Sequence, residues 1–166
     1  IFHINKSYNK TEYANAKGIL VVSLVSQFVL SVLVAFAIFS FKPILVKFFF
    51  REVLADTFIN IILVYFVIHS LIYNLSNVFG SFQKHFIFQL RDHLIVIFAF
   101  LFSMLLLDYG FSVNAMPMSH LIAGIVVLLI YLILYKTNLK QLQVKAHYSY
   151  NTVKEVFSYA IAVSFG

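Results

Sequence analysis

A chain of 166 residues is long enough to bury a soluble core, yet 62% of this one is hydrophobic and only 11% charged, with a mean hydropathy of +0.94. That balance excludes a soluble globular domain and points to an integral membrane protein. Cys is absent, which removes any disulfide framework and any Cys-based redox or metal centre. The net charge of +6 sits mainly between apolar runs, where it reads as membrane topology and not as a nucleic-acid surface.

Residues 1–17 are polar, with Lys6, Lys10 and Lys17 against Glu12, and predict a loop at the membrane surface. Residues 18–41 hold no Lys, Arg, Asp or Glu and predict a first transmembrane helix, on which Ser23, Gln27 and Ser31 share a face at helical spacing. Small hydroxyls of this kind favour close helix contact, while Gln27 is large enough to line a cavity. Residues 42–57 carry Lys42, Lys47, Arg51, Glu52 and Asp56 among apolar residues, with Pro43 near the start, and predict an external segment lying in the interface.

Residues 58–80 form the second predicted span, again without a charged side chain. Tyr65, His69, Tyr73 and Ser76 follow at helical steps on it, and Ser70, Asn74 and Asn77 make a neighbouring row. Such a face avoids lipid, so it either joins helices or lines a polar cavity. Residues 81–93, with Lys84, Arg91 and Asp92, predict a short loop between antiparallel helices.

A third span is expected at 94–109, with Ser103 midway and Asp108 at its end. Residues 110–120, holding Gly110, Asn114 and Pro117, predict an external turn, and a fourth span follows at 121–135 with a start extending back toward Met116. Gly124 within it permits close helix approach. Residues 136–154 form a basic linker, and 155–166 read as the start of a further span. The first, third and fifth polar segments together hold nine Lys or Arg and the two between them hold three, which places the odd segments in the cytoplasm.

Motifs of enzyme chemistry are lacking. The six acids are scattered over loops and span ends, and the sequence has no phosphate loop, no metal-protease motif and no serine nucleophile arrangement. No catalytic residue, metal site or cofactor is therefore expected, and no enzyme activity.

The order of features is itself informative. A polar segment NKTEYANAKG precedes an uncharged helix; the interfacial KPILVKFFF follows; then comes a helix ending NLSNVFGSFQKHFIFQLRDHL, two more spans, and a basic linker closing in NTVKEVFSYAIAVSFG. This resembles the Wzx-type polysaccharide and oligosaccharide flippases of the multidrug, oligosaccharidyl-lipid and polysaccharide exporter superfamily, along the whole chain. The stretches Asn77 to Gln83 and Lys154 to Gly166 carry the likeness best, with Ala162 where the family usually has Pro.

The resemblance implies an all-α polytopic bundle forming part of one six-helix lobe of a two-lobed exporter, with this chain an internal piece of a longer protein. It implies transport of a polyprenyl-diphosphate-linked oligosaccharide across the cytoplasmic membrane by alternating access. The partners implied are membrane lipids, the lipid-linked oligosaccharide and polysaccharide-assembly proteins, with no nucleic acid. Gln27, Tyr65, His69, Tyr73, Asn74 and Asn77 are the expected cavity residues, and Lys84 and Arg91 the expected interfacial contacts of the diphosphate headgroup. Three other readings stay open. A drug or cation antiporter of the same superfamily would carry an acid deep in a span. A membrane-embedded polysaccharide-assembly enzyme would need a large external loop. A structural subunit without cargo would keep its polar face dry against a partner helix.

Overall fold

The computed structural model describes residues 13–47, 54–142 and 154. Helix α1 is Tyr13–Ser40, α2 is a single turn, Lys42–Leu45, α3 is Leu54–Ser81, α4 is His85–Asp108 and α5 is Ala115–Asn138, followed by a 3-10 turn at Lys140–Leu142. The fold is all-helical, with no strand among the described residues. The opening residues 1–12, the middle of the expected interfacial segment at 48–53, most of the basic linker at 143–153 and the expected further span at 155–166 lie outside the described residues.

Four helices, with spans at Lys17–Ser40, Thr57–Ser81, His85–Asp108 and Ala115–Asn138, are long and apolar enough to cross a bilayer. The hydrocarbon core is about 30 Å thick, and 24 residues of α-helix cover about 36 Å. A continuous helix also satisfies its backbone hydrogen bonds within the segment, which hydrocarbon demands. The chain is accordingly an integral, multi-pass membrane protein built as a helical bundle.

The expected boundaries move in one instructive place. Residues 81–93 were expected as a loop, but Ser81 ends α3 and residues 85–93 form the opening turns of α4. Only 82–84 connect the two helices. The charges at Lys84, Arg91 and Asp92 suggested a loop, whereas Arg91, Ile95 and Ala99 are buried along one face of α4 at steps of four. By contrast α5 starts at Ala115, beside the Met116 toward which its expected start extended, because Pro117 falls in the first helical turn, where its missing N–H is not required.

The turns are closed by the backbone. After α3, the Lys84 amide donates to the Phe79 carbonyl at 2.9 Å and the Gln83 amide to the Gly80 carbonyl at 3.1 Å. After α4, Phe111 donates to Leu106 at 2.9 Å and Gly110 to Leu107 at 3.0 Å. Both are Schellman ends, and the left-handed position is taken by Gln83 in one and Gly110 in the other.

α3 is the central helix. α1 packs on one side of it, and α4 and α5 pack on another side and against each other. The buried core gathers at one end of the bundle, where Ile19 and Leu20 of α1, Ile72 and Phe79 of α3, Ile95 of α4 and Tyr131 of α5 meet. Toward the other end α1 presents Val25, Phe28, Leu30, Leu33 and Phe36 outward, a surface suited to hydrocarbon. Tyr65 and Ile68 of α3 lie against Gly124 of α5, with the Tyr65 ring 3.3 Å from where a Cβ would stand, so the expected close approach at this glycine is present.

Candidate functional site

The polar side of α3 is divided among its neighbours. At about 100° per residue, the row Tyr65, His69, Tyr73, Ser76 and the neighbouring row Ser70, Asn74, Asn77 are centred roughly 110° apart around the helix. In the second row Asn74 turns toward α1. The Asn74 amide nitrogen donates to the Ser23 carbonyl at 3.3 Å and to the Ser23 hydroxyl at 3.2 Å, and Ser70 is buried. Asn74 thereby joins two helices. Gln27, half-buried, lies one turn along α1 from Ser23. Asn77 is also half-buried, and its carbonyl accepts from the Ser81 hydroxyl at 3.0 Å.

The first row meets α4 and α5. Tyr65 and His69 are half-buried with ring centroids 5.5 Å apart, and His120 of α5 stands edge-on to Tyr65 at 5.8 Å. The His120 Nδ1 is itself paired with the Met116 carbonyl at 2.9 Å. Tyr73 is 49% exposed, the most open of the expected cavity residues. Its ring carries the Arg91 guanidinium, 4.7 Å from the ring centroid.

Arg91 is the centre of the polar network. It closes the second turn of α4, about 9 Å along the helix from His85, and it is buried in spite of its charge. Nε and Nη2 each donate to one Asp92 oxygen at 2.8 Å, and Nη1 donates to the Ser76 hydroxyl at 3.0 Å. The Ser76 hydroxyl in turn donates to the Tyr73 carbonyl at 2.8 Å. Phe88 covers the guanidinium at 5.8 Å. The planar fork is thus fixed by a bidentate carboxylate, a hydroxyl and two rings, an arrangement that Arg supports and Lys does not. The ion pair is asymmetric, with the Arg91 side chain 11% exposed and that of Asp92 62% exposed.

Tyr131 closes the cluster from α5. It is fully buried, packs edge-on against Phe79 at 5.8 Å, and donates its hydroxyl to the Ile87 carbonyl of α4. Lys84, the other expected headgroup contact, turns elsewhere: its Nζ donates to the Asn138 carbonyl at 2.9 Å. A cation there complements the C-terminal end of α5.

No known protein family, curated protein or solved structure matches this chain.

Of the expected site residues, then, the fold brings Tyr73 together with Arg91, and Tyr65 together with His69. It sends Asn74 to the α1 seam and Lys84 to a helix end, and it leaves Gln27 half-buried on α1 one turn from Ser23. Asp92, His120 and Tyr131 were not among the expected residues. Asp92 was visible as the charge following Arg91, once 85–93 is recognised as helix; the sequence carried no comparable signal for His120 and Tyr131, which reach the cluster only through tertiary packing. Among the described residues no group of three or more His, Cys, Asp or Glu is placed to hold a metal ion. What the cluster offers chemically is a guanidinium held against Asp92, whose carboxylate is exposed, beside the open aromatic face of Tyr73; the hydroxyls of Ser76 and Tyr131 are buried and bonded within the bundle.

Proposed function

We propose that this chain is part of a transporter in the cytoplasmic membrane that carries a polyprenyl-diphosphate-linked oligosaccharide from the cytoplasmic to the outer face. The carrying observation is the Arg91 guanidinium, fixed on Tyr73 and Ser76 near one end of the bundle beside a half-exposed polar row. A diphosphate needs a preorganised cation, and sugar hydroxyls need hydrogen-bonding side chains, while the polyprenyl tail stays in lipid. The positive-inside count puts the short 82–84 connection, and with it Arg91, toward the cytoplasm, where such a substrate is loaded. The exposed carboxylate of Asp92 is the group a diphosphate would displace.

The test is transport by the full-length protein reconstituted in proteoliposomes, with a polyprenyl-diphosphate oligosaccharide bearing a fluorescent sugar and an impermeant quencher outside. Arg91→Gln and Tyr73→Ala each lower the initial rate, Arg91→Gln by about tenfold or more, the size of a lost charge-assisted contact. Arg91→Lys recovers part of it. Wild-type rates in both Arg91→Gln and Tyr73→Ala would remove the headgroup role.

A second reading, a helix-packing subunit without cargo, draws support from Asn74, whose amide is engaged by Ser23 across a helix seam. It predicts that Arg91→Gln and Arg91→Lys alike lower the yield of folded protein and leave no transport defect in what remains.

A further inference from the structure

Three polar rings on the seam between α3 and α5 lie beyond the Arg91 cluster, away from the 82–84 connection. Tyr65 precedes Tyr73 by eight residues, which sets it about 12 Å further along α3, with His69 midway. Gly124 of α5 lets them meet that helix, because the Tyr65 ring carbons lie 3.3 Å from where a Cβ would stand. His120, four residues before Gly124 and so on the same face of α5, stands edge-on to Tyr65 with ring centroids 5.8 Å apart. His69 neighbours Tyr65 at 5.5 Å.

The fold leaves the polar atoms of these rings unused. The His120 Nδ1 lies 2.9 Å from the Met116 carbonyl, which can only accept, so Nδ1 carries a proton and Nε2 of the neutral ring is a bare acceptor. Among the described residues Nε2 has no hydrogen-bond partner, nor has the Tyr65 hydroxyl or either ring nitrogen of His69. All three residues are half-buried, and these atoms are not sealed inside the protein.

An unpaired polar atom is costly against hydrocarbon, so the group faces water or a ligand. Charge decides which ligand. Neither residues 57–69 nor residues 110–124 contain a Lys or Arg, so nothing on these stretches matches a phosphate. A bare acceptor, a phenol and aromatic rings match a sugar, which has apolar faces and hydroxyl edges.

We propose that Tyr65, His69 and His120 hold the sugar of the substrate while its diphosphate lies at Arg91. The headgroup then lies along α3 with its sugar end leading toward the outer face, where the positive-inside count puts the turn before α5. The assignment rests on the transport reading; it adds the orientation of the headgroup, and it adds His120 as a residue that reads sugar hydroxyls.

The experiment uses the full-length protein in proteoliposomes and diethyl pyrocarbonate, which acylates an unprotonated imidazole nitrogen, with the extent at each histidine read by mass spectrometry. His120 is acylated without substrate. A polyprenyl-diphosphate oligosaccharide slows that acylation, and the same polyprenyl diphosphate without sugar leaves it unchanged. In transport at subsaturating substrate, His120→Phe keeps the ring against Tyr65, removes the acceptor and lowers the initial rate about fivefold, the weight of one hydrogen bond. His120→Gln, which returns an acceptor near the place of Nε2, recovers most of that loss.

An inert His120, or acylation slowed equally by both lipids or by neither, overturns the assignment while Arg91→Gln still lowers transport, and the transport reading stands. A wild-type rate in His120→Phe does the same. Wild-type protein that moves no lipid-linked oligosaccharide overturns both.

Discussion

Tyr131 shows how much of this bundle depends on single side chains that touch three helices. It sits on α5, its ring is fully buried against Phe79 of α3, and its hydroxyl reaches the Ile87 carbonyl of α4. Hydroxyl and ring contribute separately. Tyr131→Phe keeps the packing and removes one interhelical hydrogen bond, an expected loss of about 0.5–1.5 kcal/mol, toward the low end because the unfolded state in a membrane also finds partners. Tyr131→Ala opens a cavity as well, and the loss rises to about 3–5 kcal/mol. Unfolding in mixed micelles, followed by far-UV circular dichroism as the denaturing detergent increases, measures both. Equal losses in the two variants would mean that the hydroxyl, not the ring, holds the three helices together. The serines follow another rule: Ser31, Ser70, Ser76 and Ser119 donate to carbonyls three residues back on their own helices. Their hydroxyl protons are satisfied within their own helices, and the Ser76 oxygen in addition accepts from Arg91 of α4.

At the scale of elements, the two turns make a natural comparison. Both end in the same pair of backbone bonds, yet the left-handed residue is Gly110 at φ 86° in one and Gln83 at φ 58° in the other. A Cβ in that region crowds the following carbonyl, at about 1–2 kcal/mol. Gln83→Gly relieves this, offset in part by the greater freedom of glycine in the unfolded chain, and is expected to stabilise the protein by up to about 1 kcal/mol. Gln83→Ala keeps the Cβ and gives no gain. A higher thermal midpoint in detergent for Gln83→Gly alone is the expected result, and a drop would mean that the Gln83 side chain contributes more than its backbone strain removes. Helix ends are also where the sequence was hardest to read. The first two spans were legible because an uncharged run of more than 20 residues has few alternatives in a bilayer, and the third and fourth because their apolar runs at 94–109 and 121–135 are nearly as long. Their ends were not, since Lys84, Arg91 and Asp92 carry the composition of a loop while the backbone through Arg91 is helical. The periodic burial of Arg91, Ile95 and Ala99 expresses tertiary packing, and composition alone does not register it.

For the whole molecule, the arrangement of four spans around α3 turns one polar helix into surfaces with different fates. Periodicity could place Tyr73 and Asn74 on two neighbouring rows, but it could not say which row met a helix and which stayed open. That depends on where α1 docks, and it docks on Asn74. Consecutive residues are therefore expected to behave differently toward an aqueous probe. The chain has no natural Cys, so single substitutions in a Cys-free version of the full-length protein report cleanly. Tyr73→Cys, on a side chain 49% exposed, reacts with a membrane-impermeant maleimide offered from both sides, and does so more slowly when a polyprenyl-diphosphate oligosaccharide is present. Asn74→Cys, turned into the α1 seam, stays protected. His69→Cys, half-buried on the open row, reacts at an intermediate rate. Val64, which is 52% exposed on another side of α3, supplies the control, because exposure there faces lipid and a charged maleimide cannot reach it. Labelling at Tyr73→Cys with protection at Val64→Cys means that water enters along the Arg91 side of α3, as a transport route requires. Protection at Tyr73→Cys, His69→Cys and Val64→Cys alike, in protein that folds, would mean that the exposed part of Tyr73 also faces lipid, and the polar row would then be a packing seam.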